Sequence, residues 1–255
     1  MKILFLGTGP SLGVPIPTCN CDTCISDDLR DKRLRSSIYI ETEKYSFLID
    51  CGPDFRQQAL KFKIKKIDFI LITHKHNDHI GGLDDLRPFN YFQNKQMDIY
   101  GSDEVVNDIR RRFYYSFDEE RYPGAPVMRL KTITRSDNLK FGENEISVIE
   151  GMHGSMPVFG FRIGDFGYIT DFKYISESEI QKLQGVKILV VNALRPDKPH
   201  KLHFNKEEAL DLINKVNPQL AYLTHLSHHW KPIKEAEKSF PENVFLAYDG
   251  LDILI

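Results

Sequence analysis

The sequence predicts an α/β fold, two sheets with helices on their outer faces in a single domain. Three observations carry this. The chain has 255 residues, 41% hydrophobic and 27% charged, enough to bury a core without disulfide staples and unlike collagen-like, low-complexity or disordered chains. Short β-branched and aromatic runs recur at residues 2–6, 37–41, 46–49, 67–72, 97–100, 145–149, 159–163, 167–169, 187–191, 220–223 and 244–246. They are bounded by Gly, Asp, Asn or Pro and read as strands. Helical patterns alternate with them in the first half and the last quarter, whereas residues 139–169 run strand after strand, a mixture that suits two layers of sheet.

Taken in order, Met1-Lys2-Ile3-Leu4-Phe5-Leu6-Gly7 is too short in its apolar part for a signal-peptide core of roughly 7–15 residues. It reads as a buried first strand, and a cytoplasmic location is expected. No apolar run approaches the roughly 20 residues that span a bilayer, so no integral membrane protein is expected. The formal charge of −2, from 34 basic and 36 acidic residues, leaves no global positive field for a nucleic-acid backbone. Residues 84–135 are the least regular stretch, with Phe89, Tyr91, Phe92, Phe113, Tyr114, Tyr115, Phe117 and the run Arg110-Arg111-Arg112. It reads either as a lid or as an exposed helix face beside core aromatics, the second being the stronger expectation. Asn205 with Glu208 three residues on makes a capping box, and Ala209, Leu212, Ile213 and Val216 form one helix face that packs on a sheet. Asp249-Gly250 reads first as a hairpin turn and second as a support for metal ligands. Cys51 reads as a small buried hydrophobe.

The strand ending at Thr73 is followed by His74-Lys75-His76-Asn77-Asp78-His79-Ile80-Gly81-Gly82. Side chains two apart in an extended segment point the same way, so His74 and His76 can converge on one ion. Asp78 and His79, where the chain turns into a helix, can face a second. Gly81-Gly82 is expected to remove side chains where backbone crowds the metals. Such donors suit zinc, manganese or iron. Cys19, Cys21 and Cys24 crowd into six positions, too close for disulfides among themselves, which points to metal ligation.

The H-x-H-x-D-H string resembles the signature of the metallo-β-lactamase superfamily of binuclear metallohydrolases. The resemblance implies an αββα four-layer sandwich over residues 1–255. It also implies further catalytic metal ligands at His153, Asp171 (bridging) and His225, and a buried Asp50 that orients the ligand loop. Gly7-Thr8-Gly9-Pro10-Ser11-Leu12-Gly13-Val14-Pro15 followed by C-x-C-x-x-C is similar to the opening of the PhnP family, phosphodiesterases that accompany carbon–phosphorus lyase. That likeness implies a structural zinc on Cys19, Cys21, Cys24 and a late His, best matched by His228 with His229 as competitor, stapling the loop at about 17–26 to the C-terminal part. It also implies His203 as catalytic general acid, with His200 as competitor, and two active-site divalent ions, Zn or Mn with Fe or Ni open.

The resemblance thus implies a phosphodiesterase acting on a small cyclic ribosyl or nucleotide diester. Attack comes from a metal-bridging hydroxide, with Asp78 in the catalytic set and proton donation from His203. The alternatives are a transfer-RNA 3′-processing nuclease of the same superfamily and an accessory protein similar to PqqB. No protruding Gly/Pro-rich arm is visible and the charge is slightly acidic, so nucleic acid ranks below a small substrate. The family often dimerises, which leaves a homodimer open.

Overall fold

The computed structural model describes residues 1–118, 120, 122–142 and 144–255. Its strands, in chain order, are β1 (Lys2–Gly7), β2 (Ser37–Glu41), β3 (Ser46–Ile49), β4 (Phe69–Leu71), β5 (Met97–Gly101), β6 (Met128–Thr132), β7 (Asn138–Phe141) and β8 (Asn144–His153). They continue as β9 (Met156–Ile163), β10 (Phe166–Ile169), β11 (Tyr174–Ile175), β12 (Ile188–Asn192), β13 (Leu220–Thr224), β14 (Val244–Leu246) and β15 (Asp252–Leu254). The helices are α1 (Asp22–Ile25), α2 (Phe55–Lys61), α3 (Asn77–Ile80), α4 (Arg87–Gln93), α5 (Asp103–Arg112), α6 (Glu177–Leu183), α7 (Lys206–Val216) and α8 (Ile233–Ala236).

One sheet runs β15-β1-β2-β3-β4-β5-β6 and the other β11-β8-β9-β10-β12-β13-β14, with β7 paired to β8. Each is antiparallel on one side and parallel on the other: β3 to β6 are parallel in the first, and β10, β12, β13 and β14 in the second. The strands alternate inward and outward side chains, and both faces of each sheet are apolar because both are covered. Phe5, Ile38, Phe47, Phe69 and Leu71 of the first sheet meet Phe159, Phe161, Phe166, Tyr168 and Val190 of the second in a core between the sheets. Phe69 stacks on Phe47 at 4.5 Å and on Phe141 at 3.9 Å between ring centroids. The outer faces pack on helices. Leu48, Ile70 and Ile72 lie against Phe55 of α2 and Val105 and Ile109 of α5, and Leu189 and Val191 lie with Ile180 and Leu183 of α6 and Ala209, Leu212 and Ile213 of α7. The result is the four-layer αββα sandwich.

The capping box forms: Asn205 accepts the Glu208 N–H and Glu208 accepts the Asn205 N–H, both at 2.9 Å. Two expectations change. The Asp249-Gly250 turn is no hairpin, because β14 and β15 belong to different sheets; the turn carries the chain across the sandwich. The stretch at 84–135, of which Glu119 and Arg121 lie outside the described residues, contains α4, β5, α5 and β6 and completes the first sheet. Among the described residues its irregular part narrows to those between α5 and β6, and only its aromatic-rich composition had hidden the alternation. Among the described residues, no helix is long and apolar enough to cross a membrane.

Candidate metal centres

The histidines and aspartates gather where strands of both sheets end. His74, His76, Asp78 and His79 follow β4, His153 closes β8, Asp171 follows β10, His203 lies in the loop after β12, and His225 follows β13. Carboxyl ends of parallel strands leave such a crevice at the rim of an α/β sheet. The Asp171 carboxylate is central: its Oδ2 lies 3.2 Å from His79 Nε2, and its Oδ1 lies 3.2 Å from His225 Nε2 and 3.3 Å from His203 Nδ1. Asp78 Oδ2 is 3.2 Å from His79 Nε2, and His74 Nε2 is 3.1 Å from His76 Nδ1. The rings of His153 and His203 stand 4.5 Å apart, and those of His76 and His153 5.1 Å.

The outer nitrogens fix the tautomers. His79 Nδ1–H donates to Asp50 at 2.6 Å, and His153 Nδ1–H donates to the Asp171 carbonyl at 2.9 Å. The Thr73 hydroxyl donates to Asp50 and accepts from His74 Nδ1 at 3.0 Å. The Ser36 hydroxyl donates to the Gly9 carbonyl and accepts from His225 Nδ1 at 3.2 Å. Each ring therefore turns its Nε2 inward, the arrangement that second-shell partners impose on metal-binding histidines. Asp50, Asp171 and His225 all hold positive φ, 65°, 63° and 56°, a conformation that non-glycine residues keep only where surrounding structure enforces it.

The centre fits divalent cations. His79 Nε2 and His203 Nδ1 are buried without a hydrogen-bond partner, and His74, His79 and Asp171, then His153, Asp171 and His203, form two sets of donors close enough to share an ion. Three buried carboxylates surround His79: Asp78 and Asp171 on its Nε2 side and Asp50 on its Nδ1 side. Burial would lower His79, but Asp50, Asp78 and Asp171 hold its imidazole well above the ordinary value. Burial would raise Asp171, but His225 and His79 keep it well below the carboxylate range. For Asp50, burial wins and its acidity is reduced. His203 is pushed down to about 3 by burial, against the pull of Asp171, with His225, His153 and His200 adding to the fall. Burial thus favours the neutral form of this imidazole in the free protein.

The second centre joins distant segments. Cys19, Cys21 and Cys24 Sγ lie 3.2, 3.5 and 3.7 Å from His228 Nδ1, while His229 points elsewhere and lines a separate cavity. Four soft donors in a closed set suit a structural zinc. Burial pushes Cys24 up to about 11, whereas hydrogen bonds from Cys24 and Cys19 bring Cys21 below the ordinary thiol value against its own burial.

Some features escaped the sequence. Thr73 and Ser36 set His74 and His225, and a lone hydroxyl residue gives no signal of that. Asp249 receives Thr8 Oγ1–H at 2.8 Å and the Leu34 N–H at 2.7 Å, and is raised to about 6 by burial; it clamps the strands that carry Ser36. The glycine expectation changes reason. A Cβ on Gly82 would strike the Gly52 carbonyl, one on Gly52 the Asp78 carbonyl, and one on Gly81 the Asn77 carbonyl. The glycines let the ligand loop lie against the exit of β3, and the crowding is backbone on backbone. Cys51 is buried within the apolar cluster beneath α2.

Two facing sheets with a His/Asp centre at their rim define the metallohydrolase class of α/β sandwiches. A beta-lactamase superfamily domain matches residues 45–226. Among solved structures, a diphosphatase from the PhnP family superposes with a TM-score of 0.92 at 32% identity, over 100% of this chain and 97% of that one. The chain belongs to the beta-lactamase superfamily and, within it, to the PhnP family. It is also 38% identical over 256 residues to a Porphyromonas gingivalis protein named octanoyltransferase, matching 100% of this chain and 52% of that protein. A ribonuclease Z of Enterococcus faecalis is 30% identical over 193 residues, 74% of this chain and 54% of that one. The chain thus spans about half the length of these curated relatives.

Proposed function

We propose that the chain is a metal-dependent phosphodiesterase acting on a small diester such as a cyclic ribosyl or nucleotide phosphate. The observation that carries this is one carboxylate, Asp171, touching His79, His225 and His203 at 3.2–3.3 Å from two sides. His74, His76, Asp78, His79, His153, Asp171 and His225 would hold two divalent ions, and such ions supply a water nucleophile at neutral pH and neutralise the phosphoryl oxygens. Asp78 and Asp171 then balance the cation charge. His203 lines the same rim. Neutral in the free protein, it gains a proton when an anionic phosphate sits beside it, and it can pass that proton to the departing alkoxide. Asp50 and Thr73 keep His79 and His74 in the tautomers the centre needs. Cleavage of a diphosphate, the activity named for the PhnP-family relative, is the same in-line displacement with a phosphate leaving group.

A processing nuclease on transfer RNA would need a basic face, and the net charge of −2 does not supply one globally. RNA binding that weakens steeply with salt would favour it. The deciding experiment combines elemental analysis with hydrolysis of bis(p-nitrophenyl) phosphate and of cyclic phosphodiesters by the wild type, His76→Ala and Cys21→Ser. About three metal ions per chain are expected, two at the His/Asp centre and one on the cysteines. His76→Ala should lose turnover while staying folded, and Cys21→Ser should lose one zinc and mainly stability. A wild type that holds only the cysteine-bound zinc and stays inactive after reconstitution would instead be an accessory protein of the PqqB kind.

A further inference from the structure

Helices α2 and α4 meet through Phe55 and Phe89, whose ring centroids are 5.6 Å apart, and a groove of about 520 Å³ opens between them. Ala59, Leu60, Ile64, Pro88 and Phe92 complete its apolar walls. None of the seven residues of α4 is buried, although they include Pro88, Phe89, Tyr91 and Phe92. Phe92 is 82% exposed, and Leu60 on α2 is 64% exposed. Contiguous apolar surface of this kind marks a binding site. The volume falls within the roughly 300–1,000 Å³ of small-molecule sites, which combine apolar walls with a few placed polar groups.

The polar groups of this groove are Arg56, Lys65 and Asp85. Both cations are exposed, and among the described residues neither side chain makes a hydrogen bond or an ion pair. Adjacent Lys66 pairs with Asp68, by contrast, and Arg87 with Asp84. Lys61 and Lys63 continue the same sign along the chain. Asp85 is the one acid of the wall; burial and then the charge of Asp84 hold its carboxyl above the ordinary value, against Arg56 and Arg87. Apolar walls with a surplus of unpaired cations are complementary to an apolar chain that ends in an anion. With seven residues each, α2 and α4 are only about 10 Å long, so the groove holds a flexible chain whole. A docked amphipathic helix anchored from i to i+7 would use that entire length and need further surface. A bilayer would have to desolvate Asp85 against the groove wall.

We propose that the groove between α2 and α4 is a binding site for a free anionic amphiphile, a medium-chain fatty carboxylate or a molecule of the same build. Its alkyl chain lies against Phe55, Leu60, Ile64, Phe89 and Phe92, and its head group meets Arg56 and Lys65. Phe55, Ile64 and Phe89 belong to the apolar cluster of Leu48 and Ile70 on the outer face of the first sheet, whereas the His/Asp centre sits at the rim. The site is therefore separate from that centre and does not depend on the phosphodiesterase reading.

The test is calorimetric titration of the metal-loaded protein with hexanoate, octanoate, decanoate and decyltrimethylammonium. Affinity for the carboxylates should rise about threefold to fourfold with each added methylene, and decanoate should bind about tenfold or more tightly than the cationic amphiphile. Phe92→Ser and Leu60→Ser, both at exposed positions, should each weaken decanoate about tenfold. Arg56→Gln combined with Lys65→Gln should erase the preference for the anion and leave decyltrimethylammonium within about twofold. Because a carboxylate can also bind metal, His76→Ala is the control, and it should bind decanoate as the wild type does. A flat chain-length series, equal affinities for the two head groups, or binding that is lost in His76→Ala but kept in Phe92→Ser would overturn the site. Cosedimentation with phosphatidylglycerol vesicles that depends on Phe92, with no binding of decanoate, would overturn it in favour of a membrane contact.

Discussion

Asp50 accepts the Thr73 N–H at 2.8 Å on one oxygen and His79 Nδ1–H at 2.6 Å on the other, so it decides which nitrogen of His79 faces the centre. Asp50→Asn keeps the shape but offers an amide N–H where an acceptor stood. His79 must then accept at Nδ1 and carry its proton on Nε2, which blocks the metal-facing position. Metal affinity at the His/Asp centre should fall by about 10–100-fold, read by competition with a chelating dye, while the cysteine-bound zinc is retained. Unchanged affinity would show that Asp50 is only a backbone support. Asp249 gives a pH dependence. Burial raises its carboxyl to about 6, against the Leu34 N–H, Thr8 and Arg33. The folded state therefore favours the protonated form, and this stabilisation is complete below the unfolded value and lost as pH rises through about 6. Relative to Asp249→Asn, the wild type should lose about 1 kcal/mol of unfolding free energy between pH 5 and pH 7, measured by urea denaturation of both at each pH. A difference that stays flat, or that grows with the opposite sign, would reject the assignment.

The capped helix α7 (Lys206–Val216) links stability to the site at the scale of an element. Its box satisfies two end groups at 2.9 Å, and its N-cap, Asn205, is two residues after His203. Asn205→Ala should cost about 1 kcal/mol of stability and also lower kcat by loosening the His203 loop. A loss of stability with kcat intact would place His203 outside the reaction. Such elements were legible in the sequence because their signals are local: Asn205-x-x-Glu208, the alternation of β1 to β3, and the run of donors from His74 to His79. What stayed hidden is set by chain crossings. β15 pairs with β1 across the whole length of the chain, so Asp249 looked like a hairpin turn. β6 read as loop because Met128–Thr132 alternates weakly and lies at a sheet edge. Ser36 reaches His225 over 189 residues, a pairing no window of sequence contains. The ligand positions could be found from their order after strands, but the neutral state of His203 required its burial among His225, His153 and His200.

At the scale of the molecule, the two centres act as fasteners between parts that the chain brings together late. The His/Asp centre takes His74, His76, Asp78 and His79 from the first sheet and His153, Asp171 and His225 from the second. The cysteine centre ties the N-terminal loop to His228, 204 residues beyond Cys24. Without cations, Asp50, Asp78 and Asp171 surround one raised imidazole, so the proposed ions would relieve electrostatic strain as well as bridge the sheets. A ligand at a thousand times its dissociation constant stabilises the state it binds by about 4 kcal/mol. Stripping with a strong chelator should therefore lower the melting temperature in two separable parts. In Cys21→Ser the part due to the cysteine zinc should be gone from the start, whereas added Zn or Mn should still raise the melting temperature through the His/Asp centre. In His76→Ala the reverse should hold. Because the two centres share no side chain, the two losses should add in the double variant to within about 0.5 kcal/mol. If Cys21→Ser also abolished the metal response of the His/Asp centre, the N-terminal loop would be part of that centre's framework, with Gly9 acting through Ser36 on His225, and the division into a structural and a catalytic ion would fall.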